Sequence, residues 1–131
     1  VIANYLFGLP GDTQETMQDT FDLSLELCTM AWNAYAAMAL PGSQLYRDAV
    51  VKGMAVPKEY SEFSFHAYNT KPLPTELLSP AEILKFRDQA WLKYHTHPTF
   101  LKKIEEKYGR GACDNITEMT KIKLKRQLLG D

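Results

Sequence analysis

Apolar residues follow first a strand-like and then a helix-like spacing at the start of the chain. Residues 1–7 form a nearly continuous apolar run of β-branched and aromatic types, which predicts a parallel strand buried on both faces. Apolar residues then recur every three or four positions over residues 13–28, which predicts an amphipathic helix. A second strand is predicted at Trp32–Met38, where small apolar residues alternate with polar or aromatic ones.

Both predicted strands end in a loop rich in glycine and proline that leads directly into a helix. The first loop is Gly8–Asp12 and the second is Leu40–Ser43. Asp12 and Glu15 are expected to form a capping box, and Ser43 is expected to cap the second helix. Strands that alternate with helices favour parallel pairing, so the pattern predicts two consecutive units of a β/α barrel.

The composition changes after the second helix and divides the chain into three predicted regions. Residues 1–54 carry the two strand–helix units, and residues 55–78 are predicted to be an ordered loop rich in proline and aromatic residues. Residues 79–131 are predicted to be a mostly helical C-terminal extension. The predicted fold class is therefore α/β, with two βα units followed by a helical extension.

Three helices are predicted within the C-terminal extension, because its apolar residues recur at helical spacing. Ser79, Pro80 and Glu82 provide a cap, a first-turn proline and a reciprocal acidic residue for the first of them. The second helix is predicted over 98–108, and the third is predicted over 114–129.

Charge and composition limit the classes of partner and site. The chain has 15 Lys and Arg against 16 Asp and Glu, a net charge of −1, so neither nucleic acid nor a membrane surface is expected as a partner. Four basic residues near the C-terminus are expected to form a solvated face. They are Lys121, Lys123, Lys125 and Arg126. No stretch predicts a membrane span or a signal peptide.

Cysteine and histidine residues predict no metal site. Cys28 and Cys113 are too few for a disulfide framework, which favours a cytoplasmic location, and Cys28 is expected to pack in the core. His95 and His97 do not share a helix face, because they are two positions apart. Both are expected to be solvated at a helix C-terminus, where the helix dipole favours a cation.

The chain begins with Val1, inside a predicted strand, and we expect it to be part of a longer protein. Two parallel strands alone leave unpaired edges, which the remainder of the parent chain would cover. The isolated chain is therefore expected to associate with itself.

The two loops at the carboxyl ends of the strands are the first candidates for ligand binding. In a β/α barrel this edge of the sheet carries the reacting groups. Glycine lets a ligand approach the backbone closely, and a helix N-terminus favours an anionic or polar group. The alternative is that these residues only form the turns and begin the helices.

Three polar side chains of the strands are candidates for substrate contact. If the apolar residues of the second strand face the helices, Asn33 and Tyr35 point into the barrel, and Asn4 of the first strand is grouped with them. A buried amide needs a hydrogen-bond partner. A substrate is one such partner, and neighbouring backbone or water is the alternative.

Several segments resemble a known family. Residues 7–13, FGLPGDT, resemble the fifth-strand segment of radical S-adenosylmethionine (SAM) enzymes, and residues 38–46, MALPGSQLY, resemble their sixth-strand segment. Residues 73–76, LPTE, and residues 78–84, LSPAEIL, resemble the C-terminal extension of members that also carry a cobalamin-binding domain. The likeness covers most of residues 1–95.

This resemblance implies a partial, TIM-like (β/α)6 barrel, of which the chain holds the last two units. In that family three cysteines spaced C-x3-C-x2-C bind a 4Fe–4S cluster, which reduces SAM to methionine and a 5′-deoxyadenosyl radical. This chain has no such triplet, so we expect it to be inactive alone and to belong to an oxidoreductase whose cluster ligands lie elsewhere. Cobalamin stays open as a further cofactor. Asp12 also departs from the Glu that many relatives have.

The resemblance further implies where the cofactor lies. Gly8, Leu9 and Pro10 would contact the adenosine part of SAM through backbone and apolar surface, and Leu40 and Pro41 would flank the adenine. The substrate and the type of radical reaction stay undetermined. The alternative function is a non-catalytic α/β module that binds a partner or supports assembly, so whether the chain acts in an enzyme stays open.

Overall fold

Two parallel strands and five α-helices form the computed structural model, which describes residues 1–131. Strand β1, Ile2–Phe7, pairs in parallel with strand β2, Ala31–Ala36, in a register that aligns their first and last residues. The helices are α1 (Gln14–Leu27), α2 (Gln44–Val51), α3 (Pro80–His95), α4 (Pro98–Tyr108) and α5 (Arg110–Met119). None of them combines the length and the apolar character that crossing a bilayer requires. The α/β class and the parallel pairing are confirmed, and the sheet is open, with no barrel evident.

Helices cover only one face of this sheet. Phe7, Trp32 and Ala34 lie on the covered face and are buried. They pack with residues of α1 and α3, among them Met17, Phe21, Ile83, Phe86, Ala90 and Tyr94. On the opposite face Ile2 and Leu6 are 63% and 48% exposed. The prediction that the first strand is buried on both faces is therefore wrong for this chain, because no helix covers the second face of β1.

Helix α1 is capped by Thr13, and the predicted capping box of Asp12 and Glu15 is wrong. The Thr13 hydroxyl accepts a hydrogen bond from the Thr16 N–H at 3.2 Å, and the Thr16 hydroxyl accepts one from the Thr13 N–H at 2.9 Å. The Asp12 carboxylate points back into the preceding loop and accepts from the Gly8 N–H at 2.9 Å. Asp12 therefore satisfies donors before the helix, and the next residue is left to begin it.

Helix α3 begins as its sequence predicts. The Ser79 hydroxyl accepts from the Glu82 N–H at 3.2 Å, and the Glu82 carboxylate accepts from the Ser79 N–H at 2.8 Å. These bonds from Ser79 hold the pKa of Glu82 below its usual range. Pro80 occupies the first turn, where a backbone N–H would have no acceptor within the helix, so the lack of an N–H on proline costs no hydrogen bond. The next helix, α4, also has its predicted bounds, since it ends at Tyr108 before Gly109.

The last helix is much shorter than predicted. Helix α5 ends at Met119, residues 120–126 follow an irregular path, and a short 3₁₀ turn occupies Gln127–Leu129. The prediction of a helix over 114–129 is therefore wrong in its second half. Apolar residues in this part are exposed, as in the 71% exposed side chain of Ile122, so no helical stripe is buried there.

Long-range bonds to Arg126 explain why the chain leaves helical geometry. Arg126 is completely buried, and its guanidinium donates to both carboxylate oxygens of Asp88 on α3, at 2.9 and 3.0 Å. It also donates to the carbonyl oxygens of Phe65 and Ala67, at 2.9 and 3.1 Å. Arg126 was expected on a solvated face; the structure corrects this, because helix α3 and the loop residues before it enclose the side chain.

The prediction that His95 is solvated is also wrong, because aromatic residues of β2, α3 and α4 enclose it. The imidazole is 8% exposed, and its centroid lies 5.8 Å from the Trp32 ring, 4.7 Å from Trp91 and 5.4 Å from Phe100. Burial lowers the pKa of His95, against a smaller raising effect of the Trp91 carbonyl, which lies 2.8 Å from Nδ1. His97 is half-buried and caps α4.

We expect Arg126→Ala to lower the free energy of unfolding by about 3 kcal/mol, because the substitution leaves the Asp88 carboxylate without its bidentate partner. Urea denaturation measures this change. The matched control is Lys125→Ala, at an exposed neighbouring position, where a change within about 0.5 kcal/mol is expected. Equal effects of the two substitutions would contradict the role of the buried pair.

The free energy of unfolding is expected to fall as the pH is lowered below about 6.5, the ordinary pKa of a histidine. The pKa of His95 is lowered in the folded protein, so the unfolded chain binds the proton more readily. The stability associated with neutral His95 is therefore complete above the unfolded pKa and is lost below it. His95→Gln should flatten this dependence, measured by urea denaturation at several pH values.

The comparison variant for this titration is His66→Gln. Partial desolvation also lowers the pKa of His66, as do the charges of Arg87 and Arg126, but the His66 residue as a whole is exposed, whereas His95 is buried. We therefore expect a smaller flattening from His66→Gln. A pH dependence that His95→Gln leaves unchanged would refute the assignment to His95.

Candidate functional site

The loops that follow β1 and β2 lie at the same edge of the sheet. The parallel register aligns the ends of the two strands, and the Ala37 N–H donates to the Phe7 carbonyl at 2.7 Å just beyond them. Ser43 ends the second loop, and its hydroxyl accepts from the Tyr46 N–H at 3.1 Å. The predicted Ser43 cap is thus confirmed. Both loops bring their residues to the carboxyl edge, as the strand order predicts.

The Asp12 carboxylate closes the Gly8–Asp12 loop on itself. Its Oδ2 accepts from the N–H groups of Gly8 and Leu9, at 2.9 and 3.1 Å. The Thr75 hydroxyl donates to the Asp12 carbonyl at 3.0 Å and so ties the distant 73–76 segment to the loop. Successive N–H groups of this kind form a concavity that suits an anion. Here Asp12 fills it, so the loop offers a ligand apolar surface more than backbone donors.

Gly8 is required by packing as well as by backbone conformation. Its φ is +81°, a left-handed value that side chains rarely adopt. A Cβ placed on Gly8 would lie 2.6 Å from Cγ2 and 2.7 Å from Cδ1 of Ile83, which is completely buried in α3. The glycine was interpreted as a means of close approach by a ligand, but helix α3 already accounts for it.

A cavity of about 310 Å³ lies beside the first loop. Gly8 and Pro10 line it, and the remaining lining residues come from α2 and from the segments after it. Those residues are Leu45, Asp48, Ala49, Lys52, Met54, Leu73, Pro74, Thr75 and Glu76. The volume is at the lower end of the range of small-molecule sites, about 300–1,000 Å³.

Two of the five residues assigned to the cofactor by resemblance therefore line this cavity. They are Gly8 and Pro10. Leu9, Leu40 and Pro41 do not line it. The side chains of Leu9 and Leu40 are 41% and 43% exposed, so they present apolar surface on the outside of their loops.

Three charged side chains give the cavity its polarity. Glu76 accepts from the Gly11 N–H at 3.2 Å, and the pKa of Glu76 is lowered by backbone hydrogen bonds, its own and that of Gly11, with a smaller contribution from Lys52. Asp48 accepts from the Gln44 amide at 2.6 Å. Lys52 is exposed and can meet an anionic group, whereas the two carboxylates can meet hydroxyl or amino groups.

Sequence reasoning missed the charged side of this cavity. In the sequence, residues 73–76 stand out only by their likeness to a C-terminal extension. Glu76 lies 65 residues after Gly11, so no local pattern predicts their hydrogen bond. The only available signal for Lys52 was its position at the end of the second helix, which is shared by many solvated lysines.

The three candidate substrate residues lie together on the uncovered face of the sheet. Asn33 donates to the Asn4 side chain at 3.2 Å, and both residues are exposed. Tyr35 is half-buried, because the ring of Phe65 lies 4.8 Å from its own. Asn33 thus has a side-chain partner, which is neither substrate, nor backbone, nor water. None of the three lines the cavity beside the first loop.

The two cysteines lie apart and differ in their surroundings. Cys28 caps α1 in a left-handed conformation, with φ of 43°, and is buried in the core, which confirms its predicted packing role. Cys113 is half-buried on α5. No group of three or more His, Cys, Asp or Glu side chains is arranged to hold a metal ion.

Comparisons with known proteins add no assignment. The sequence matches no protein-family model, and no curated protein matches it either.

We expect Gly8→Ala to lower the free energy of unfolding by about 3 kcal/mol, because the new methyl group meets Ile83 and the backbone is strained. The matched control is Gly11→Ala. Its φ is +88°, and no atom lies within 4 Å of the added Cβ. That substitution should reveal strain alone, about 1 kcal/mol. Equal losses in urea denaturation would show that contact with α3 does not constrain Gly8.

Proposed function

We propose that this chain forms the last two βα units and the helical extension of a radical SAM iron–sulfur oxidoreductase with a partial (β/α)6 barrel. The resemblance of residues 7–13 and 38–46 to the fifth- and sixth-strand segments of that family motivates the proposal. Residues 1–131 provide no ligand set for the cluster, which would be bound by another part of the parent chain. Cobalamin stays open as a further cofactor, on the likeness of residues 73–84 alone.

The observation that carries this proposal is the asymmetry of the two-stranded sheet. Beside β2, the Arg87 guanidinium donates to the Ala34 carbonyl at 2.7 Å, and the Leu73 N–H donates to the Ala37 carbonyl at 3.2 Å. Strand β1 pairs only with β2. This arrangement suits β2 as the final strand of a sheet, because the C-terminal extension contacts its outer edge. It suits β1 as an inner strand, because its free edge can pair with a preceding strand.

The uncovered sheet face supports the same interpretation. Ile2, Asn4 and Leu6 of β1 are exposed on it, beside Asn33 and Tyr35 of β2. The inner wall of a β/α barrel consists of alternate side chains of each strand, which pack against those of the other strands. In the proposed enzyme Asn4, Asn33 and Tyr35 would supply hydrogen-bonding groups to a substrate inside the barrel.

Exposed apolar surface on both loops supports the proposed contact with the adenosine part of SAM. Leu9 and Leu40 expose apolar surface at the same edge of the sheet, and Gly8 and Pro10 line the adjacent cavity. Pro41 lies next to Leu40 in the second loop. When bound, SAM would supply the radical precursor of the reaction. The residues of this chain hold and orient it through apolar contact and exclude water from the adenine.

A first test compares SAM binding by the cluster-loaded parent protein with and without a charge in each loop. Leu9→Glu and Leu40→Glu should each raise the dissociation constant about tenfold in anaerobic calorimetry, because a carboxylate replaces apolar contact with the adenine. The control is Leu23→Glu on α1, at a position 50% exposed, where no change is expected. Unchanged binding in both loop variants would overturn the assignment of the loops.

The alternative is a non-catalytic α/β module, for which the open sheet edge and face would serve as a partner surface. The encoding gene distinguishes the two functions. An in-frame C-x3-C-x2-C triplet upstream supports the enzyme, and a start codon directly before Val1 supports the module.

Self-association of the isolated chain, expected from its open edge, is measured by sedimentation; a monomer would contradict that expectation.

A further inference from the structure

A second and larger cavity, of about 660 Å³, lies between helix α3 and the last thirteen residues of the chain. None of its lining residues belongs to the strand-end loops 8–12 and 40–43. The α3 side contributes Trp91 and Leu92, and the C-terminal side contributes Met119, Ile122, Leu124 and Leu129. We call this cavity the C-terminal cleft. Its volume lies well inside the range of small-molecule sites.

The walls of the C-terminal cleft are fixed by Arg126, although most of the segment around that residue is irregular. The bidentate bond to Asp88 fastens the segment to α3. Asp131 then accepts from the Arg126 N–H at 3.0 Å and from the Lys123 ammonium at 2.6 Å, which holds the chain end against the same residues. The cleft is thus a preformed feature of the fold, a property that reduces the entropy lost on binding.

Several apolar residues that line the cleft are exposed to solvent. Leu92 is 44% exposed, Met119 is 42% exposed and Ile122 is 71% exposed. Trp91 lies among them and is half-buried. A contiguous apolar surface that stays open to solvent gains free energy when an apolar body fills it.

The charges around the cleft favour an anion. Both acidic residues that line it are already engaged: Asp88 accepts from Arg87 and Arg126, and Asp131 accepts from Lys123. Lys85 also lines the cleft and takes part in none of the ion pairs of the protein. Its ammonium is therefore free to meet a ligand group.

The neighbouring His66 reports the same field. Burial is the main cause that lowers its pKa, and the positive charges of Arg87 and Arg126 lower it further, which outweighs the opposite effect of Asp88. His66 lines the cleft, where the charges of Arg87 and Arg126 act on it.

We propose that the C-terminal cleft binds a small molecule with an apolar body and one anionic group, a carboxylate, sulfonate or phosphate. The apolar body lies against Trp91, Met119 and Ile122, and the anionic group meets Lys85. This inference does not rest on the proposed radical SAM function, because the cleft shares no residue with the strand-end loops.

The test uses the full chain and two fluorescent probes of similar shape. Anilinonaphthalene sulfonate carries the anionic group, and phenylnaphthylamine carries no charge. We expect the sulfonate to bind at one saturable site and at least tenfold more tightly than the uncharged probe. Lys85→Glu should weaken the sulfonate about tenfold and leave phenylnaphthylamine unchanged. The control is Lys93→Glu, an exposed lysine of the same helix that does not line the cleft.

A second pair of variants tests the apolar wall. Ile122→Glu, at a position 71% exposed, should weaken both probes, whereas Leu77→Glu, at a position 73% exposed outside the cleft, should weaken neither. Circular dichroism checks that each variant is folded. Several equivalents of bound sulfonate, or binding that neither Lys85→Glu nor Ile122→Glu changes, would overturn the cleft as a site. An effect of Ile122→Glu alone would overturn the selectivity for anions.

Discussion

The Arg126 guanidinium sets the shape of the second half of the chain. It is completely buried and hydrogen-bonded to Asp88. A guanidinium cannot lose its proton, so its burial requires acceptors for its donors. Asp88 and the carbonyl oxygens of Phe65 and Ala67 provide them. Because these acceptors lie on α3 and on the preceding loop, one side chain fixes three segments that are distant in sequence. The C-terminal cleft is a consequence, and so is the early end of α5.

The same principle of satisfying donors locally governs the loop after β1. The Asp12 carboxylate accepts from two N–H groups of the loop, and Ile83 fills the space above Gly8. Together they hold the loop rigid without a ligand. A ligand would therefore bind to a preformed surface, which consists of Leu9, Pro10 and the walls of the cavity beside α2. The charged side chains of that cavity are Asp48 of α2, Lys52 directly after α2, and Glu76, which lies more than sixty residues after the loop.

Sequence reasoning predicted what local interactions decide. The Ser79 capping box, the Pro80 helix start and the parallel pairing of two strands all follow from residues a few positions apart or from simple periodicity. It failed locally at the Asp12 capping box, because that carboxylate accepts from the preceding loop, and it failed elsewhere because distant partners decide. His95 packs against Trp32 of the distant strand β2, and Arg126 leaves the helical pattern to bind Asp88. In the site, Gly8 and Pro10 could be placed at the strand edge, but Glu76 could not.

The asymmetry of the sheet connects these observations. An isolated pair of strands is at best marginally stable, and here helices α1 and α3 stabilise it from one face only. Arg87, next to Asp88 in sequence, donates to β2, so the residues that anchor the C-terminal segment also occupy acceptors of the sheet. The outer edge of β1 pairs with no other strand, and on the uncovered face of the sheet Ile2 and Leu6 remain exposed. Burying an apolar side chain of this size contributes roughly 1.5–3 kcal/mol. Further strands or a partner that covered this face would therefore be held mainly by apolar contact. The Asn4–Asn33 pair would be the polar point of that contact surface.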